Sequence, residues 1–150
     1  MRFAQASLDD PAVVSLLEYH HRDMFEVSPP GTAYAFDLER LREPDICIFG
    51  AWDGEQLQAV GALRSHDDYA EIKSMRTLPE YAGKGLGKGL LTHLLNAARE
   101  AGFQTVRLET GISAPFTPAN RLYQAFGFTE IGPFAGYQDN GDNRFYEKRL

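Results

Sequence analysis

The chain has 150 residues, 43% apolar and 24% charged, with a formal net charge of −6 and both signs spread along its length. That length suits one domain, 1–150, able to bury a core without disulfides or metal, and Cys47 as the single cysteine leaves no disulfide framework and no thiolate metal cluster. The acidic balance argues against nucleic-acid and anionic-membrane partners and leaves room for a cationic small molecule.

The first residues, "MRFAQASLDDP", hold no long apolar stretch, and no later run approaches membrane-spanning length, so a cytoplasmic address is expected. Phe3–Ala6 reads as a first strand. Asp10 then stands as an N-cap with Pro11 at the first helical position. Val13, Leu16, Leu17, His20 and Met24 follow at helical spacing and predict an amphipathic helix. "SPPGTAY" breaks it, and "FDLERLREP" supplies a short helix that must end before Pro44. "ICIFGAW" and "QLQAVGALR" flank Asp53-Gly54, a hairpin signal, and a second turn at His66–Tyr69 leads into "AEIKSMRTL". Three antiparallel strands in succession are predicted.

After Pro79 the pattern changes. Leu86, Leu90, Leu91, Leu94, Leu95 and Ala98 mark one helical face, which Gly102 closes. Thr105–Thr110 follows as a strand, so strand, helix and strand form a crossover whose two strands should be parallel and adjacent. "PANRLYQAFGF" predicts a short helix ending at Gly127, with "TEIG" and "RFYEKRL" as closing strands. The fold class is mixed α/β (α+β), a mostly antiparallel sheet with a parallel pair at its middle and helices on both faces.

The chemistry concentrates in "PEYAGKGLGKGLLTHLL", with glycine at 83, 85, 87 and 89 at the mouth of the long helix. Free N–H groups there and the helix dipole attract phosphate, and glycine lets the backbone approach the ligand. Lys84 and Lys88 add positive charge. A flexible loop with solvated lysines is the alternative. Neither familiar nucleotide pattern fits. No glycine has another five residues on followed by lysine, and G-x-G-x-x-G fails at Lys88 and Leu90.

Several stretches, agreeing in order and spacing from about Ala70 to Phe128, resemble the GNAT superfamily of N-acetyltransferases. The loop Ala82-Gly83-Lys84-Gly85-Leu86-Gly87 is similar to the family's [RQ]-x-x-G-x-[GA], departing only at Ala82, where Arg or Gln is usual. "ANRLYQAFGF" is similar to A-x-x-L-Y-x-x-x-G-F through Ala119, Leu122, Tyr123, Gly127 and Phe128. Phe116 stands where the family often has Asn. The resemblance implies acetyl-CoA as co-substrate. It implies a backbone cradle from Gly83 to Lys88 for the pyrophosphate, and main-chain pairing of the pantetheine arm along Met75, Arg76 and Thr77.

Acetyl transfer to an amine needs a gripped thioester, an oxyanion donor, a base for the ammonium and an acid for the thiolate. The resemblance makes a backbone N–H near Met75 the oxyanion donor and Tyr123 the general acid; a core tyrosine is the other reading of Tyr123. Glu71, eleven residues before Ala82, is the base by resemblance. The alternative for Glu71 is an exposed strand residue paired with Lys73 or Arg64. Glu109, at the end of the next strand, is a second base or an arginine partner. No metal site is expected: His20 and His21 divide into one packed and one solvated, His66 belongs to a turn, and His93 faces solvent. Cys47 and Trp52 read as packing residues.

By resemblance, the loop from Val27 to Phe36 and the loop "GPFAGYQDNGDN" border the acceptor. Glu26, Tyr34, Tyr137, Asp139 and Asp142 stand there to meet a cationic amine or to be solvated. The expected partner is a small-molecule amine, acetylated by direct transfer in a ternary complex; a homodimer is allowed. The rival is a non-catalytic acyl-CoA-binding module.

Overall fold

In the computed structural model, which describes residues 1–27 and 38–150, seven strands join one sheet. They are β1 (Arg2–Gln5), β2 (Ile46–Asp53), β3 (Gln56–Ser65), β4 (Ala70–Thr77), β5 (Thr105–Gly111), β6 (Thr129–Ile131) and β7 (Asn143–Arg149). Their spatial order is β1-β2-β3-β4-β5-β7-β6, and β4 with β5 is the parallel pair. The mixed sheet inferred from the sequence is thus the sheet observed, with strand ends shifted by a residue or so. The first hairpin pairs Asp53 with Gln56, so its loop is Gly54-Glu55, with Gly54 at φ +59°.

Both faces are covered. Helix α1 (Pro11–Val27) starts at Asp10, whose Oδ1 accepts the Ala12 N–H at 3.0 Å. It seats Val13, Leu16 and Leu17 on one face of the sheet with Ile48, Trp52, Leu57, Val60 and Ala62. The other face takes α3 (Leu86–Glu100), whose six predicted apolar positions are all buried, each leucine contributing about 2 kcal/mol. With two helical layers against it, β3 is buried from Leu57 to Leu63 rather than alternating. Helix α2 (Leu38–Leu41) is a single turn that stops before Pro44, and α4 (Thr117–Ala125) packs beside α3.

Two helices end in one motif. Gly102 at φ +93° follows α3, with Phe103 N–H donating to Ala98 C=O and Gly102 N–H to Arg99 C=O. Gly127 at φ +85° repeats it after α4, through Phe128 to Tyr123 and Gly127 to Gln124. Only glycine takes that left-handed turn without a steric penalty.

One irregularity positions the site. β3 and β4 run in register to Ala62↔Lys73 and then slip, so that Val60 faces Arg76. The extra residue is absorbed at Ser74, whose φ of 56° is left-handed, a strain of about 1 kcal/mol for a residue with a Cβ. At the same level β4 leaves β5, their pairing stopping at Ile72↔Leu108 while β5 continues with β7 to Gly111↔Asn143. From Lys73 onward β4 no longer pairs with β5, and a cleft opens in mid-sheet.

Candidate active site

At the open end of this cleft, Gly83 and Gly85 have φ values of 78° and 81°, and a Cβ on either would meet nothing within 4 Å. Gly85 is the N-cap of α3 and brings no side-chain bond to it. The first helical bond of α3 runs from Gly89 N–H to Gly85 C=O, which leaves the earlier N–H groups for a ligand. Ala82, Lys84 and Lys88 are exposed beside them. The other two glycines serve packing: a Cβ on Gly89 would stand 2.4 Å from Phe3 Cζ, and one on Gly87 3.3 Å from Leu122 Cδ2. Leu86 is buried and anchors the helix start.

Midway along the cleft sits Tyr123, 7% exposed, its hydroxyl 4.0 Å from Met75 Sδ. Its ring meets Phe128 and Tyr146 at centroid distances of 5.7 and 6.0 Å. Burial, with Tyr146 adding to it, pushes its pKa up to about 12, so the hydroxyl keeps its proton at neutral pH. Phe116, at the family's Asn position, lays its ring where a Cβ on Gly111 would be, at 2.4 Å. Asn120, missed in the sequence, is 8% exposed. Its Nδ2 donates to Gly111 and Phe116 carbonyls, and its Oδ1 accepts from Arg144 and Tyr146. That network fixes α4, and hence Tyr123, against β5 and β7.

Arg76 turns its side chain the other way. Its Nε donates to His20 Nδ1 at 2.9 Å and its guanidinium reaches Asp23 at 2.7 Å, tying β4 to α1. Only its main chain remains for a ligand in the cleft. Burial, with the Arg76 charge second, pushes the His20 pKa down to about 3, so His20 is a neutral acceptor.

At the closed end, Glu71 is 1% exposed. It pairs with neither Lys73 nor Arg64. Its Oε1 is 2.9 Å from His66 Nε2, and its Oε2 accepts the Tyr137 hydroxyl at 2.6 Å. Lys73 Nζ in turn donates to the Tyr137 oxygen at 3.2 Å, while Arg64 holds Asp45. His66 stacks on Tyr69 with centroids 4.4 Å apart, and Arg107 lies 4.4 Å above the Tyr69 ring. His66 and Tyr69 therefore belong to the site, a fact hidden in the sequence because turn residues carry no periodicity. Glu109 is exposed, and Asn143 Nδ2 donates to its Oε2 at 2.8 Å. Partial desolvation of its carboxyl, opposed by that bond, holds its pKa above the usual carboxylate range.

Of the acceptor-side residues, Tyr137 joins the cluster, while Asp139 caps Gly141 N–H at 3.0 Å in an exposed loop and Asp142 is exposed. The Glu26 side chain and Tyr34 lie outside the described residues. Three expectations need correction. Cys47 is exposed, because it lies beyond the β1–β2 pairing that ends at Gln5↔Phe49. His93 is half-buried between Phe3 and Phe49, at centroid distances of 6.3 and 5.4 Å. His20 and His21 are both half-buried, since the sheet continues beneath the helix. Trp52 packs in the α1 core as expected, 8% exposed.

The model of the Acetyltransferase (GNAT) family matches residues 13–128. YsnE of Bacillus subtilis (strain 168), an uncharacterized N-acetyltransferase, is 42% identical over 139 residues, spanning 92% of this chain and 92% of that one. YedL of Escherichia coli (strain K12), also an uncharacterized N-acetyltransferase, is 40% identical over 144 residues, spanning 95% of this chain and 91% of that one. An aminoglycoside 6′-N-acetyltransferase solved with coenzyme A superposes with a TM-score of 0.73 at 14% identity, covering 99% and 97% of the two chains. At that identity the likeness is one of fold.

Proposed function

Because the chain belongs to the GNAT family of acetyltransferases, whose acyl donor is acetyl-CoA, we propose that it acetylates the primary amine of a small molecule or peptide by direct transfer in a ternary complex. The observation that carries this reading is the cleft where β4 leaves β5. It has helix N–H groups without intrahelical partners at its open end, Tyr123 at its middle and Glu71 at its closed end.

Acetyl-CoA, when bound, supplies an acetyl group already activated as a thioester. The N–H groups from Gly83 to Lys88 suit its diphosphate, with Lys84 and Lys88 neutralising charge; Ala82 adds no side-chain contact. Main-chain groups of Met75, Arg76 and Thr77 suit its amide-rich arm, since β5 does not occupy them. A backbone N–H at Met75 serves the developing oxyanion, and the Tyr123 hydroxyl protonates the departing sulfur. Glu71 is the final destination of the ammonium proton. Direct transfer is favoured over an acyl-enzyme because Cys47 lies on β2, separated from the cleft by β3. The net charge of −6 and the two carboxylates of the cleft favour a cationic amine.

Calorimetry tests the grip: coenzyme A and acetyl-CoA are expected to bind, ATP and NAD not. Free-thiol release from acetyl-CoA across a panel of amines then tests turnover. Binding without release for any amine would leave only an acyl-CoA-binding module.

A further inference from the structure

Resting on that reading, we infer that Tyr137, on the loop before β7, is the residue that touches the acceptor amine and relays its proton to Glu71.

Glu71 is badly placed to touch the amine itself. Only 1% of it is exposed, and each carboxylate oxygen already has a partner, His66 Nε2 at 2.9 Å and the Tyr137 hydroxyl at 2.6 Å. Tyr137 is half-buried and reaches this sealed carboxylate from the loop before β7, keeping a partly exposed side chain of its own. Its oxygen already accepts one alkylammonium N–H, that of Lys73 at 3.2 Å, and a phenol oxygen has a second lone pair.

The step balances without another reactant. An ammonium N–H donates to the Tyr137 oxygen while the Tyr137 proton moves to Glu71 Oε2. The N–H bond of the ammonium and the O–H bond of the phenol break, and two O–H bonds form. The amine, now neutral, forms its C–N bond as the C–S bond breaks, sulfur takes the Tyr123 proton, and the second proton shed by the nitrogen as it becomes an amide restores the Tyr123 hydroxyl. Glu71 returns its proton through Tyr137 once the product leaves.

Tyr137 keeps its own proton until that moment, because burial and the facing Glu71 push its pKa well above the usual phenol value. The charged groups facing it are Glu71 and Lys73 from β4, Glu109 from β5 and Arg64 from β3, with His66 behind Glu71. Lys73 also lowers the pKa of an ammonium bound beside it, by like-charge repulsion.

Tyr137→Phe keeps the ring that packs on Phe134 and Phe145 and removes only the relay oxygen. With an amine found by the panel, kcat/KM of wild type, Tyr137→Phe and Glu71→Gln is followed from pH 6.5 to 10.5, with acetyl-CoA binding by calorimetry as the check on folding. Both variants are expected to lose about 100-fold at pH 7 with binding intact. The loss should shrink to a few-fold once the medium deprotonates the amine. A Tyr137→Phe enzyme within threefold of wild type at pH 7 overturns the relay and leaves the acetyltransferase reading standing, as does a deficit that stays constant with pH. A wild type that acetylates no amine overturns both.

Discussion

On the proposed reading, Tyr123 serves packing and chemistry from one environment. Its ring packs on Phe128 and Tyr146, and its hydroxyl alone looks toward β4, at Met75. A phenol with pKa near 12 is a weak acid but a dependable donor, since it is fully protonated wherever the enzyme works. Tyr123→Phe removes the oxygen and keeps the ring contacts. The expected outcome is a fall of about 10- to 100-fold in kcat with acetyl-CoA affinity within twofold, read by steady-state kinetics and calorimetry. An unchanged kcat would return Tyr123 to the role of a core residue. The kcat profile should show no basic limb from this group between about pH 6 and 10. Glu71 is the converse case, a carboxylate whose role is set by being out of reach.

At the scale of elements, the glycine-rich start of α3 divides into two tasks. Gly83 and Gly85 hold left-handed φ in open space, so a methyl there meets no atom but strains the backbone and reshapes the N–H groups proposed to face the diphosphate. Gly89 lies within the helix, and a methyl there would run into the Phe3 ring that seats β1 on α3. Gly85→Ala is therefore expected to weaken acetyl-CoA about tenfold or more. It should cost about 1 kcal/mol of stability. Gly89→Ala should lower the Tm through about 1–2 kcal/mol of overpacking and leave affinity nearly unchanged. Calorimetric titration and thermal melts on the same two proteins separate the tasks, and a matching loss of affinity in both would contradict the division. The slip between β3 and β4 is a comparable device, since it ends β4–β5 pairing where a ligand's main-chain-like arm would need the free edge.

For the molecule as a whole, the described residues form two buried clusters, one with α1 and one with α3, and Arg76 fastens α1 to the strand that borders the cleft. That fastening makes stability depend on pH. His20 is neutral in the folded chain, with its pKa near 3 against 6.5 when unfolded. Between those values the unfolded chain binds the extra proton, so stability rises with pH across the window and is lost as pH falls below about 6.5. His20→Gln keeps an acceptor for Arg76 and does not titrate; its Tm is expected to fall less between pH 6.5 and 4 than that of wild type, by the equivalent of up to a few kcal/mol. Parallel acid-side slopes in the two melts would count against it. The order of elements was legible in the sequence because its signals are local: the leucine stripe of α3, Asp10 with Pro11, and Gly102 and Gly127 each act within a turn or two of helix. The family resemblance was legible for the same reason, carried by short motifs at fixed spacing around Gly83–Gly87 and Tyr123. What those residues meet was not. Tyr137 reaches Glu71 across 66 residues of chain because β7 pairs with β5, and Phe3 reaches Gly89 because β1 lies beneath α3. The apolar run of β2 made Cys47 read as a packing residue and β4 left Glu71 open between two readings, and only the folded chain decided that Glu71 is sealed and Cys47 exposed. Periodicity is a property of neighbouring residues, whereas burial and partnership belong to segments that only folding brings together.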